Sequence, residues 1–291
     1  MKLCYSTLAC PNWTLEQIVC GAVDAGLQGI DFRGLGTEID ITKTAAFTGN
    51  LPATLALLRK NNLEVPCLHT SVILVTPGAE RWQEMLEEFQ RYARLAAHSR
   101  TPYVRVFAGS GPKQINAEES LSLAKRHLRQ LVKIAQASGC MPLLETHDVW
   151  STSESVLAAI QEFLPDEAGV LWDIEHTCRK GEAPRQTAQA LKRYVRHVHF
   201  KDSVRRDGKS VQRLLGEGDI PLDQCMSALR AMGYEGWICL ESEKRWQADA
   251  AEPEISLPQF AHYMCDVLGL NIAAPAPSQA RAAVGRLAPH L

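Results

Sequence analysis

The sequence predicts a single-domain α/β protein, a (β/α)8 barrel, and three observations carry that reading. Eight short apolar runs are spread along the chain: KLCYST, QGIDF, LEVPCLHT, PYVRVFAG, CMPLLETH, AGVLWD, VRHVHF and GWICLES. Between them, apolar residues recur at helical spacing. Gly or Asn stands just before the next run in DAGLQGI, KNNLEV, ASGCMP and AMGYEGW, where a helix has to stop. Eight such units need about 250 residues, and the chain has 291.

The elements follow in order. After KLCYST comes STLACPNW, which has no Gly-rich phosphate turn. That argues against a doubly wound open sheet. Leu15, Ile18, Val19 and Ala22 share one face of the first helix. In the second run, GIDFRG, Asp31 and Arg33 share a face and are expected to pair with each other, a substrate hydroxyl being the alternative. The third run is expected to end on His69, as a core residue or as a contact to substrate or to the site's supporting shell. Trp82, Met85, Leu86, Phe89, Ala93 and Ala96 line the next helix. Arg105 sits mid-strand in YVRVF and, if it points inward, needs an acid; Glu145 on the adjacent strand is available. Leu121, Ala124, Leu128, Leu131, Val132 and Ala135 line the helix after it. In LLGEGDIP, the GEG lacks the lysine and context of a phosphate loop, and Asp219 before Ile220-Pro221 reads as a helix N-terminus. The barrel is assigned to residues 1–270. Residues 271–291, Ala/Pro-rich, read as a flexible extension or an arm on a partner subunit, so a homo-oligomer is allowed.

Composition narrows the function. A net charge of −2 and a pI near 6.5 offer no basic surface for nucleic acid or membrane. The nine cysteines are scattered, with no C-x-x-C, and read as reduced core thiols of a cytoplasmic protein. The apolar stretch of MKLCYSTLACPNW is too short for a secretory leader. No run approaches the roughly 18 apolar residues of a membrane span.

In a barrel of this kind the chemistry sits where the strands end. The fifth run (MPLLE) ends on Glu145, the sixth (VLWD) on Asp173, the seventh (VRHVH) on His199 and the eighth (WICLE) on Glu241. Strand parity points them inward together: Leu143 with Glu145, Leu171 with Asp173, His197 with His199, Cys239 with Glu241. Three carboxylates and one imidazole suit one divalent ion, Mn2+, Mg2+ or Co2+ first and Zn2+ also admissible. The plain alternative for each acid is a helix cap. Four such ends in succession favour the metal.

Taken in order, LLETHD, LWDIEHT, HVHFKD, LLGEGDIP and GYEGWICLE resemble the xylose isomerase-like TIM-barrel superfamily of sugar isomerases and epimerases. The resemblance runs to about Leu270. It implies that Glu145, Asp173, His199 and Glu241 bind one divalent metal, commonly Mn2+. It also implies that Glu145 and Glu241 are the acid/base pair, and that His176 and Arg205 bind substrate. The chemistry it implies is proton transfer beside a carbonyl through a metal-stabilised enediolate. Isomerisation or epimerisation of a keto-sugar or polyol is the expected outcome. Loss of water from a keto-inositol, keto-glycoside or related keto-acid is the alternative.

His147, two residues after Glu145, is expected on the rim as a substrate contact, and His197 below His199 as structural. Lys201 and Asp202 could bond substrate or pair in a solvated loop. Trp13, Trp150 and Trp246 could stack on a sugar or shield the rim. An endonuclease branch of the same superfamily needs further metal ligands at positions that here are Phe107, Ser210 and Gln212, none of which serves. A non-catalytic sugar-binding barrel has no use for four converging polar ends.

Overall fold

The computed structural model describes residues 1–271. The predicted tail therefore lies, beyond Asn271, outside these residues. Each of the eight runs forms a strand: β1 (Lys2–Ser6), β2 (Gly29–Asp31), β3 (Cys67–Ile73), β4 (Tyr103–Phe107), β5 (Met141–Glu145), β6 (Gly169–Asp173), β7 (Val195–Phe200) and, last in the chain, β10 (Trp237–Leu240). They pair in parallel in the order β2-β1-β10-β7-β6-β5-β4-β3. First and last strands meet, Cys4 opposite Cys239. Between β2 and β3 the pairing thins to isolated bridges, Gly29 to Glu64 and Phe32 to Leu68, so the barrel is nearly closed.

The helices α1 (Leu15–Asp24), α2 (Leu51–Lys60), α3 (Ala79–Ser99), α4 (Ala117–Ser138), α5 (Ser153–Ile160), α6 (Ile174–Arg179), α7 (Pro184–Leu191), α8 (Leu222–Ala231) and α9 (Pro253–His262) fill the connections. The four predicted helix stops all take left-handed backbone: Gly26 (φ 71°), Asn62 (φ 55°), Gly139 (φ 69°) and Gly233 (φ 72°). Thr14 and Gln17 close a capping box at the start of α1.

Alternation along the strands sorts the side chains into two populations. Leu3, Tyr5, Ile30, Leu68, Val104, Val106, Leu144, Val170, Trp172, Val198 and Ile238 face outward into the main core under the helices. The inward apolar groups are few: Cys4, Trp237 and Cys239 in one cluster, Cys67, Leu143 and Leu171 in another. Most of the remaining interior is polar, with Asp31, His69, Arg105, Glu145, Asp173, His197, His199 and Glu241 all buried. Burying so many ionisable groups costs free energy unless they partner one another.

Three expectations are corrected. His69 does not end its strand; β3 runs on to Ile73, and His69 is wholly buried within it. Lys201 and Asp202 are not a solvated pair. Both are buried, and Asp202 opens an unpredicted antiparallel hairpin, β8 (Asp202–Arg206) and β9 (Lys209–Arg213). Its turn residues Asp207 and Gly208 both have positive φ, 51° and 77°, as a two-residue hairpin turn requires. Asp219 is not the helix start. α8 begins at Leu222 with Pro221 at its N-cap, and Asp219 instead accepts an ion pair from Arg179 at 2.5 Å.

Asp202 also accounts for the GEG segment. Its carboxylate accepts the amides of Gly216 and Gly218, each at 2.9 Å, Ile220 at 3.2 Å and Ser203 at 2.9 Å. A Cβ on Gly218 would sit 2.0 Å from Asp202 Oδ1, so only glycine allows that approach. Asp202→Ala would leave four amides, two of them buried, without this acceptor, at a cost of about 3 kcal/mol. The expected result is a lower Tm by calorimetry with unchanged far-UV circular dichroism. An unchanged Tm would show that the segment is held by other contacts.

Candidate active site

Four strand ends meet at the mouth of the barrel. β5 ends on Glu145, β6 on Asp173 and β7 carries His199, while Glu241 directly follows β10. The register sets Asp173 opposite His199 and Cys239 opposite His199, so the residues are neighbours in space. One ligand-type atom from each of the four lies within 4.8 Å of all the others, a grouping able to hold a metal ion. His199 Nδ1 faces Glu241 Oε1 at 3.1 Å, Glu145 Oε1 at 3.3 Å and Asp173 Oδ2 at 3.7 Å. All four side chains are buried.

Asp173 has two tasks. Its Oδ1 caps α6, accepting the amides of Glu175 at 2.9 Å and His176 at 3.3 Å. Its Oδ2 makes no well-aligned hydrogen bond, although Lys201 Nζ stands 2.9 Å away; nor do Glu145 Oε2, with Arg105 Nε at 3.1 Å, or the two nitrogens of His199. Buried atoms without an aligned partner, on two carboxylates and an imidazole, with the Glu241 carboxylate beside them, fit a divalent cation. The capping and metal readings of Asp173, alternatives in the sequence, are served by different oxygens.

Positive charge surrounds the ring. Burial alone would push the Glu145 carboxyl up; the Arg105 guanidinium, 3.1 Å away, and His199 outweigh it and hold the carboxyl well below its usual range. Arg105 also donates to the Thr70 carbonyl at 3.0 Å and lies over the Phe107 ring. For Glu241, burial is opposed by His199 and then Lys201, again leaving the carboxyl low. For Asp173, burial is opposed by His176, Lys201 and His199. The converse holds for His199: burial would lower it, but Glu241 and Glu145 raise it well above the ordinary imidazole value. The ring attracts positive charge, in the form of a proton if nothing else.

Lys201, expected from the sequence as a substrate contact or as half of a solvated pair, is instead the buried cation of the acid ring. It is 2% exposed, with its Nζ 2.7 Å from Glu241 Oε2, 2.9 Å from Asp173 Oδ2 and 3.0 Å from Glu243 Oε1. Glu175 Oε2 stands 3.8 Å away. Parity could have found it, since Lys201 follows His199 by two residues, as Glu243 follows Glu241. The hairpin roofs this cluster. Ser210 donates to Glu175, and Ser203 does so at 2.5 Å. Gln212 donates to the Glu241 carbonyl at 3.1 Å and accepts the Glu243 amide at 2.7 Å. Ser210 and Gln212, two positions where the nuclease branch needs metal ligands, thus act here as hydrogen-bonding supports.

The other predicted contacts divide. His147 and His176 meet edge to face, with centroids 4.6 Å apart, and both are part-exposed beside the ring. His176 Nε2 lies 3.6 Å from Asp173 Oδ2. Arg205 is exposed on β8, opposite Ser210 in the hairpin register. It lies on the face that carries Ser203 and makes no side-chain hydrogen bond among the described residues. His69 lies deeper, its ring 5.0 Å from that of His199 and its Nε2 3.5 Å from Asp31. Burial, with Arg105 and His199, lowers His69 to about 4 against the pull of Asp31.

Asp31 does not pair with Arg33. It crosses the barrel to His197 Nε2 at 2.6 Å and accepts the Cys67 amide at 3.0 Å. Burial would lower His197, but Asp31 raises it to about 9. Arg33 turns instead to Ser71 Oγ at 3.0 Å. Of the loop tryptophans, Trp150 is buried and donates to the Gly109 carbonyl at 2.8 Å, Trp13 packs on Gly21, and Trp246 is 60% exposed.

Comparison with known proteins agrees with the fold. Residues 21–259 match the model of the xylose isomerase-like TIM barrel family. The chain is 27% identical over 150 residues to the inosose dehydratase of Geobacillus thermodenitrificans, a match covering 45% of this chain and 50% of that protein. It thus spans about half the length of that relative, and less of the inosose dehydratase of Lacticaseibacillus casei, at 32%. Among solved structures, the IOLI protein with a bound zinc atom superposes with a TM-score of 0.78 at 19% identity, covering 92% of this chain and 98% of that one. The probable 3-DHS dehydratase AsbF of Bacillus anthracis does so with a TM-score of 0.76 at 19% identity, covering 91% and 99%. The two structures share the fold. With more than half of the chain matched by the family model, this protein belongs to the xylose isomerase-like TIM barrel family.

Proposed function

We propose that the protein is a divalent-metal-dependent enzyme that moves a proton at the carbon beside a carbonyl in a small polyhydroxylated ketone, with loss of water as the outcome. The observation that carries the reading is the ring of Glu145, Asp173, His199 and Glu241, whose ligand-type atoms lie within 4.8 Å of one another. These four residues would hold the ion. When bound, it supplies the positive charge that stabilises negative charge developing on the substrate's carbonyl and neighbouring hydroxyl oxygens. Mn2+, Mg2+, Co2+ and Zn2+ all suit the donor set.

The chain's own groups divide the proton work. Glu145 and Glu241 enter from strands on either side of β6 and β7 and stay ionised next to Arg105 and Lys201, so both begin as bases. Glu145, fixed by Arg105, takes the proton from carbon. Glu241, held by the Lys201 ammonium at 2.7 Å, takes a proton from solvent water and delivers it to the departing hydroxyl, which leaves as water, while Glu145 returns the proton from carbon to solvent. His176 and His147, part-exposed beside the ring, would orient substrate oxygens, and Arg205 would do so from the exposed hairpin. The water-loss outcome rests on the inosose dehydratases found at 24–27% identity. Epimerisation or isomerisation is the second reading, favoured by the placing of two carboxylates that could remove and return a proton on opposite faces of a sugar.

Two experiments test this. Incubation with a panel of keto-inositols and ketoses in D2O should place deuterium beside the carbonyl, and product mass should fall by one water. Deuterium without mass loss would move the assignment to the second reading. No exchange with any member would overturn the shared step. Glu241→Gln should fold normally yet lower turnover by about 100-fold or more, whereas Lys201→Met should lower kcat with a smaller change in KM. Full activity in either variant would break the assigned proton route.

A further inference from the structure

We propose that Cys178 and Cys225 form a hydroperoxide-sensitive dithiol, a modification site on the flank of the acid ring. Cys178 lies on α6 and Cys225 on α8, and their Sγ atoms touch at 4.0 Å. Cys178 is half-buried and forms part of the wall of a cleft of about 260 Å3, together with Arg179, Glu182, Asp219 and Gln224. Cys225 is wholly buried behind it. One thiol is therefore reachable from solvent and the other is sheltered at contact distance, the arrangement in which an attacking and a resolving cysteine operate.

The electrostatics run the same way. A hydrogen bond from Cys225 holds the Cys178 thiol below its usual range against the opposing effect of burial. The same bond, and burial, push Cys225 up. By contrast Cys4 and Cys239, opposite each other in register, are wholly buried inside the barrel. A hydroperoxide has no comparable access to them.

The chemistry balances with hydrogen peroxide as the oxidant. The Cys178 thiolate attacks one peroxide oxygen, the O–O bond breaks, and hydroxide leaves to become water. Cys178 is now a sulfenic acid. The Cys225 sulfur attacks the Cys178 sulfur, the S–O bond breaks, and a second water departs. Two thiols are oxidised to one disulfide and one peroxide is reduced. The new bond, about 2.05 Å long, ties α8 to α6, the helix that Asp173 caps and that carries His176.

The test uses the full chain. Protein is exposed to hydrogen peroxide, then unfolded, alkylated and digested without reduction for mass spectrometry. The expected product is a linked peptide containing Cys178 and Cys225, two mass units below the sum of the free peptides, which dithiothreitol resolves. Cys225→Ser should trap the intermediate as a dimedone adduct on Cys178. Recovery of both cysteines fully alkylated, or a Cys4–Cys239 link in their place, would overturn the proposal. Neither readout depends on turnover, so the proposal can fail without bearing on the assigned reaction.

Discussion

Mutual repulsion at the barrel mouth is the constraint that the rest of the site answers. Glu145, Asp173 and Glu241 are buried within 4.8 Å of His199 and of one another. Two like charges about 4 Å apart cost on the order of 4 kcal/mol at a moderate effective dielectric, more than an ordinary hydrogen bond returns. The ring therefore needs cations. Arg105 stands behind Glu145 and Lys201 beside Asp173 and Glu241, while His199 is driven toward its protonated form. The carboxylates of Glu145, Asp173 and Glu241, and the His199 imidazole once it gives up its proton, are where a divalent ion would complete the neutralisation.

That constraint explains features that look unrelated in the sequence. The hairpin exists to seal the acid cluster, since Ser203, Ser210 and Gln212 all spend their polar groups on Glu175, Glu241 or Glu243. Asp202 holds the segment that follows the hairpin, and Gly218 is the residue whose lack of a side chain permits the contact. Below the ring, the Asp31–His197 pair partners a second buried carboxylate without drawing on the cations above. A barrel interior this polar stays folded because nearly every charge has an opposite within reach.

Much of this was legible in the sequence. Apolar periodicity located all eight barrel strands, Gly and Asn marked the helix stops, and strand parity brought the four ring residues to one rim. The inward turn of Arg105 toward Glu145 followed from the same parity. What stayed hidden has physical reasons. The hairpin strands SVRR and KSVQR are too polar to register as strands, although Asp207-Gly208 is a strong turn signal. The Asp31–His197 pair joins strands that are not neighbours in the sheet, 166 residues apart, and no local pattern encodes a contact across a barrel. The burial of Lys201 was not legible because a lysine beyond a strand end usually lies in water, and its four surrounding acids keep it buried here.

The central claim is that these four strand ends form one cation site, tuned by Lys201 and Arg105. Its most direct test is equilibrium dialysis of the metal-stripped chain against Mn2+ and Zn2+, with Asp173→Asn alongside. The account predicts about one ion per chain, an affinity that falls as pH drops and His199 takes up a proton, and loss of that ion in the variant. Three ions per chain, or unchanged binding in Asp173→Asn, would contradict it.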